Sequence, residues 1–294
     1  MKTKLTLIVV IFFCIAIDSN ADQLSITRQM ALILANENDH EQSAIEFRRL
    51  AAFVTEKNIK AAYYYAAAYE YWKSEKYYLS QKMLDNCETV SFDLTPYVRL
   101  LRAECSIAQK QFEESLFYLE GICLNEMDQR FQDTIRTRLT HAHIILKQYE
   151  NARNIIDSLH CQKHEAIDAF NHYINGKDKK AWVGGFLGLI PGLGYAYSKE
   201  YANALRSLIM NSLFIYGQID CARNEQWGFF AVISFFELTW YSGSIYGGID
   251  AAHRYNNNRL KDFLEVIYNN NELILNYKRL PSISFQYNCK IDQQ

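Results

Sequence analysis

The histidines are the first residues to weigh for chemistry. His160, His164, Asp168 and His172 recur four residues apart, with Cys161 and Glu165 beside the first two, a spacing that sets them on one slowly drifting stripe of a helix. Two histidines at i and i+4 form a metal-binding geometry, so His160 and His164 are the metal candidates. The run HCQKHE lacks the Glu that directly follows the first histidine of the zinc-hydrolase motif HExxH. A polar, partly solvated linker helix accounts for the same residues. His141 and His143 point to different sides of a helix and have no serine elbow, paired carboxylates or cofactor fingerprint around them. The glycines from Gly184 to Gly194 are followed by no Lys-Ser or Lys-Thr, so they are not a phosphate loop. The chain is therefore expected to be noncatalytic and to need no cofactor.

Arg206 and Glu237 pose a different question, because each lies in a strongly apolar block. A charge in lipid or in a core is costly unless paired. The two are expected to face one another as a structural ion pair, since one pair is too few for a proton relay.

The elements that must carry these residues are helices. Three prolines and twelve glycines in 294 residues, with 49% hydrophobic residues, leave few breakers and ample core, so the expected class is all-α. A formal net charge of -2 offers no concentrated basic face for a polyanion, and nucleic acid is not an expected partner. Lys2 and Lys4 precede an apolar run from Leu5 to Ile17, with Ser19 and Ala21 after it, the pattern of an export signal over 1–21. Of the cysteines left after its removal, Cys87, Cys123 and Cys161 recur at nearly the repeat spacing found below and read as small packed residues. A disulfide within the repeats would involve Cys105.

Four segments align without gaps: HEQSAIEF from His40, KYYLSQKM from Lys76, QFEESLFY from Gln111 and QYENARNI from Gln148. Their small central residues are Ala44, Ser80, Ser115 and Ala152, separated by 36, 35 and 37 residues. Each segment follows another stretch of helical periodicity: 23–36, 60–73, 96–109 and 130–147. This is the signature of a helix-pair repeat. The pattern resembles the tetratricopeptide repeat family, with Tyr64 and Ala68, then Arg99 and Ala103, where that family has Trp and Gly. The resemblance implies a solenoid of helical hairpins and a protein or peptide partner. Tyr63, Tyr64, Tyr65, Tyr69 and Trp72 form the densest aromatic stretch. Three consecutive tyrosines cannot all point inward on one helix, so part of this cluster is expected on a partner-binding surface.

From Ala181 the composition changes to three apolar blocks, each near the lower length that spans a ~30 Å hydrocarbon core. Gly184, Gly188 and Gly192 make two successive GxxxG steps and Gly243 with Gly247 a third, a spacing that clears a helix face for close approach. Pro191 breaks the first block. The run Pro191-Gly192-Leu193-Gly194 with Tyr197, and the later Ala251-Ala252-His253-Arg254-Tyr255-Asn256, resemble the two-transmembrane-segment domain family, a small bacterial membrane module. That resemblance implies membrane seating and no defined chemistry. Lys199 departs from the family, which often has glycine at that turn.

The expected organisation is a signal peptide over 1–21, repeats over 22–162, a linker helix over 163–180, a membrane module over 181–256 and a polar helical tail over 257–294. The expected function is a scaffold of the bacterial envelope, anchored in the membrane with its repeats on the extracytoplasmic side, where they bind a protein. The other reading makes the membrane module the working part, assisting transport or membrane-protein assembly, with the repeats as recruiter.

Overall fold

The computed structural model describes residues 24–87, 94–268 and 275–277. The stretch 1–21, expected as an export signal, and Cys14 and Cys289 lie outside them. The protein is all-helical, with no strand among the described residues. It divides into two compact units, one of Met1–Lys163 with Asn270–Gln294, the other of His164–Asn269.

In the first unit the helices follow one another as hairpins: α1 (24–36), α2 (His40–Phe53), α3 (Lys57–Lys73), α4 (Tyr77–Leu84), α5 (Thr95–Ala108), α6 (Phe112–Glu120), α7 (Gln129–Ile145) and α8 (Tyr149–Asp157). One backbone device ends α1, α3, α5 and α7. Asn38, Glu75, Lys110 and Lys147 adopt left-handed φ values of 60–63°, and the next residue's N–H donates to the carbonyl five residues back, as in Lys76 to Tyr71 and Gln111 to Ser106. This is the Schellman turn, which satisfies carbonyls that the helix end would otherwise orphan.

The turns fix the register of the four hairpins against one another, and they shift the first hairpin by one residue. The residue five past each turn is Ser43, Ser80, Ser115 or Ala152, all fully buried, so Ser43, and not Ala44, is the counterpart. Its hydroxyl confirms the equivalence. Ser43 Oγ donates to the Ala31 carbonyl and Ser80 Oγ to the Ala68 carbonyl, each at 2.8 Å and each reaching back twelve residues. Further bonds tie neighbouring hairpins together: Cys105 Sγ donates to Ser80 Oγ at 3.4 Å, and Arg138 Nε to Glu104 Oε1 at 2.6 Å.

All five described cysteines are free, Cys105 among them. Cys105 meets Ser80, and burial pushes its thiol up to about 12 despite that hydrogen bond. Of the three recurring cysteines Cys87 is buried, whereas Cys123 and Cys161 are exposed.

The second unit holds α9 (Lys163–Asn175), α10 (Ala181–Leu187), α11 (Leu193–Tyr197), α12 (Tyr201–Arg223) and α13 (Trp227–Tyr268). The linker helix expected to 180 thus ends at Asn175. No boundary falls at 256, because α13 runs unbroken through it. Pro191 and Gly192 do break the first apolar block, and Gly192 takes φ 90° as the cap of α11, a conformation that glycine adopts without a Cβ clash. No helix among the described residues is long and apolar enough to cross a membrane. Arg206, Asn211 and Asp220 dilute α12 and Glu237 dilutes α13.

Candidate functional site

The tyrosine stretch lies on α3, whose alanines bring neighbouring helices close: Ala61, Ala66, Ala67 and Ala68 are at most 1% exposed. Around them Tyr63 stacks on Phe47 of α2 with ring centroids 6.4 Å apart. Tyr64, Tyr69 and Trp72 are half-buried and Tyr65 is fully buried. The expected solvent-facing surplus is therefore small, and the reason is a segment from the far end of the chain.

Leu275 and Tyr277 are completely buried in this unit's core. Tyr65 donates its hydroxyl to the Leu275 carbonyl at 2.9 Å across 210 residues of sequence. The Tyr277 ring meets Phe47 at 5.1 Å and Tyr69 at 5.6 Å, both edge to face, the arrangement that aromatic quadrupoles favour. Glu70, 2% exposed, sits beside the Tyr277 hydroxyl and also holds His40 Nδ1 at 2.6 Å. Burial, reinforced by Glu70, raises the Tyr277 pKa well above its ordinary value, and burial does the same for Tyr65. Both remain neutral hydroxyls. Leu275 and Tyr277 fall in the tail expected as a polar helix over 257–294, yet they stand in a turn and a 3-10 segment, and no local pattern in the sequence marks them for this core.

The histidine stripe does not form. His160 precedes α9, so only His164, Asp168 and His172 share a helix. His160 instead joins Asp133, whose carboxylate accepts from the His160 and Cys161 backbone N–H groups at 3.1 and 3.0 Å and from Arg136 at 3.2 Å. Burial would raise the Asp133 pKa, but these bonds outweigh it and hold the carboxyl below its usual range. The arrangement caps the end of the fourth hairpin. No group of three or more metal-ligating side chains converges among the described residues.

In the second unit the glycines allow backbones to touch. A Cβ on Gly184 would stand 2.3 Å from the Gly248 carbonyl oxygen, and one on Gly188 2.7 Å from that of Ser244. A Cβ on Gly194 would meet the same spot, 2.5 Å from the Gly184 carbonyl oxygen. On α13 the contact thus runs through Ser244 and Gly248, one residue beyond the expected Gly243 and Gly247. Gly247 faces the Tyr195 ring, and nothing approaches within 4 Å of a Cβ at Gly243.

At one end of this unit, residues of the 251–256 run meet residues flanking the Pro191–Tyr197 run. Arg254 donates from Nε and Nη2 to both carboxylate oxygens of Glu200, at 2.9 and 2.8 Å. Asn256 exchanges two hydrogen bonds with the Lys179 backbone, at 2.8 and 2.9 Å. Lys179 lies over the Tyr197 ring at 4.5 Å. Lys199, despite its Cβ, keeps the left-handed turn at φ 64°.

Arg206 and Glu237 do not pair. Arg206 is exposed and donates to Asn203 at 3.4 Å, while Glu237 is 8% exposed with Oε2 unbonded. The register explains it. Ser207 meets Ser244 at 3.3 Å, so in this antiparallel pair Glu237 lies level with Phe214, ~12 Å along the axis from Arg206.

Comparison of the chain with protein-family profiles, curated proteins and solved structures finds no match.

Proposed function

We propose that this chain is a noncatalytic scaffold whose helical hairpins, of tetratricopeptide type, bind a short segment of a protein partner while the second unit is seated in a membrane. One observation carries the binding half: the tyrosine face of α3 takes a short turn of chain, Leu275 to Tyr277, through a tyrosine-to-carbonyl bond and two edge-on rings. A face that holds its own chain in this way suits a partner segment with an apolar residue two positions before a tyrosine. The chain's own segment then competes in cis, at an effective concentration of the order of millimolar.

The seating half rests on exposed apolar side chains. Leu205, Leu208, Leu213 and Ile219 on α12 and Trp227, Phe229, Phe235 and Leu238 on α13 all face outward, Phe229 and Phe235 at 69% exposure. On α13 the exposed positions from Trp227 to Trp240 cover an arc of about 220°, far wider than the ~100° stripe that a helix turns toward one core. A lipid phase covers such an arc, whereas one protein partner covers a side.

The binding half is tested with a labelled peptide of residues 271–280 and the full chain carrying Leu275→Ala and Tyr277→Ala. The variant, its helical content checked by circular dichroism, is expected to bind the peptide at micromolar concentrations at which the unmodified chain does not. A folded variant that ignores the peptide would make the face plain core and remove the proposal's support.

A further inference from the structure

A cleft of about 450 Å³ opens on the second unit, between Asn203, Arg206 and Ser207 of α12 and Thr239, Trp240 and Ser244 of α13. Gly243 lines it, and an added Cβ there meets nothing within 4 Å. The cleft is mostly apolar in its lining but holds a cluster of polar groups. Leu205, Leu208, Ile209 and Leu238 next to it are apolar and exposed, while the cleft carries a guanidinium, an amide and four hydroxyls, those of Tyr195, Ser207, Thr239 and Ser244. Arg206 donates only to the Asn203 amide oxygen at 3.4 Å, and no carboxylate reaches it among the described residues. Its positive charge is uncompensated. It also sits about five residues into α12, ~8 Å from the end that bears the Arg254–Glu200 pair, the depth of a headgroup layer if that end faces water. Trp240 belongs at such a boundary by its mixed character.

We propose that this cleft binds the headgroup of an anionic phospholipid, with Arg206 and the Asn203, Ser207 and Ser244 side chains around the phosphate and the acyl chains laid on the exposed leucine and isoleucine face of α12. The ligand class follows from the combination. A guanidinium fork matches phosphate oxygens, with the Ser207 hydroxyl, now donating to Ser244 at 3.3 Å, free to turn to the same ligand, and only an amphiphile also covers the apolar surface on either side. A soluble phosphate would leave that surface bare. The inference rests on the membrane-seated reading and deepens it by naming the lipid.

The test uses the full chain and vesicles of phosphatidylcholine alone or mixed with phosphatidylglycerol, read by flotation over a range of lipid concentrations. The unmodified chain is expected to bind both, with roughly five- to tenfold higher affinity for the anionic mixture. Arg206→Gln and Gly243→Leu, the second filling the cleft where there is open space, are expected to lose the preference while keeping the affinity for neutral vesicles. Equal binding of the unmodified chain to both vesicles overturns the lipid site and leaves the seating intact. Retained preference in both variants overturns it as well. Abolition of the preference by excess glycerol phosphate points to a soluble ligand and also overturns it. Failure to float with either vesicle overturns the seating itself, and the inference with it.

Discussion

Gly248 and Gly243 stand five residues apart on α13, and the fold assigns opposite effects to the same substitution at the two. At Gly248 a Cβ would lie 2.4 Å from the Gly184 carbonyl oxygen and 3.0 Å from Gly194 Cα. Both neighbours are backbone and cannot rotate away, so α13 must move off α10 by about 1 Å to restore ordinary contact, at an overpacking cost of ~1–3 kcal/mol. Replacing glycine by alanine inside a helix returns ~0.5–1 kcal/mol. Gly248→Ala is therefore expected to destabilise the second unit by about 1–2 kcal/mol. At Gly243 nothing lies within 4 Å, so Gly243→Ala keeps the helix gain alone, ~0.5–1 kcal/mol of added stability. Three of the four tryptophans, Trp182, Trp227 and Trp240, belong to this unit, which makes tryptophan emission during thermal unfolding in mild detergent a selective readout. A unit of this size shifts its midpoint by ~4–8 °C per kcal/mol, so the two variants should fall clearly on either side of the parent. Shifts of the same sign, or an unmoved Gly248→Ala, would refute the backbone contact between α10 and α13.

The equivalent serines of the hairpins supply a second comparison. Ser43→Ala and Ser80→Ala each remove a buried 2.8 Å bond and should cost about 1 kcal/mol in urea unfolding, whereas the buried Ser115 hydroxyl has no partner among the described residues and Ser115→Ala should cost nothing or stabilise. Acid sensitivity is the third. Burial, with Arg138 nearby, lowers the His141 pKa from 6.5 to about 4, so the unfolded chain binds the proton first. The stability that the neutral ring contributes is complete above pH ~6.5 and declines as pH falls toward 4, by up to ~3 kcal/mol. His141→Gln should flatten the urea-unfolding midpoint across that window, and an unchanged pH profile would show that another group is responsible.

What was legible in the sequence was local. Helical class, the period and the break at Pro191 follow from side-chain spacing and backbone chemistry within a few residues. The one-residue slip in the first hairpin arose because Ser43 and Ala44 are both small, and only the left-handed turn at Asn38 selects between them. The GxxxG spacing on α13 was read with the wrong phase, since adjacent Gly247 and Gly248 are alike in sequence and differ in what they face. Arg206 and Glu237 were matched by charge alone, and the register that separates them is set by Ser207 against Ser244. The Tyr65–Leu275 bond spans 210 residues, a distance over which one sequence carries no pairing information.

The hairpin turns have a further consequence for how the protein could be tuned. Asn38, Glu75, Lys110, Lys147 and Lys199 all hold a left-handed backbone with a side chain attached, and an L-residue in that state carries roughly 1–2 kcal/mol of steric cost. None of these positions belongs to the tyrosine face or to the cleft. Glycine at any of them would relieve the cost, and a β-branched residue would deepen it. The molecule thus carries a graded set of adjustments, spaced along the chain, by which the rigidity of each hairpin could be set one at a time without changing what the protein touches.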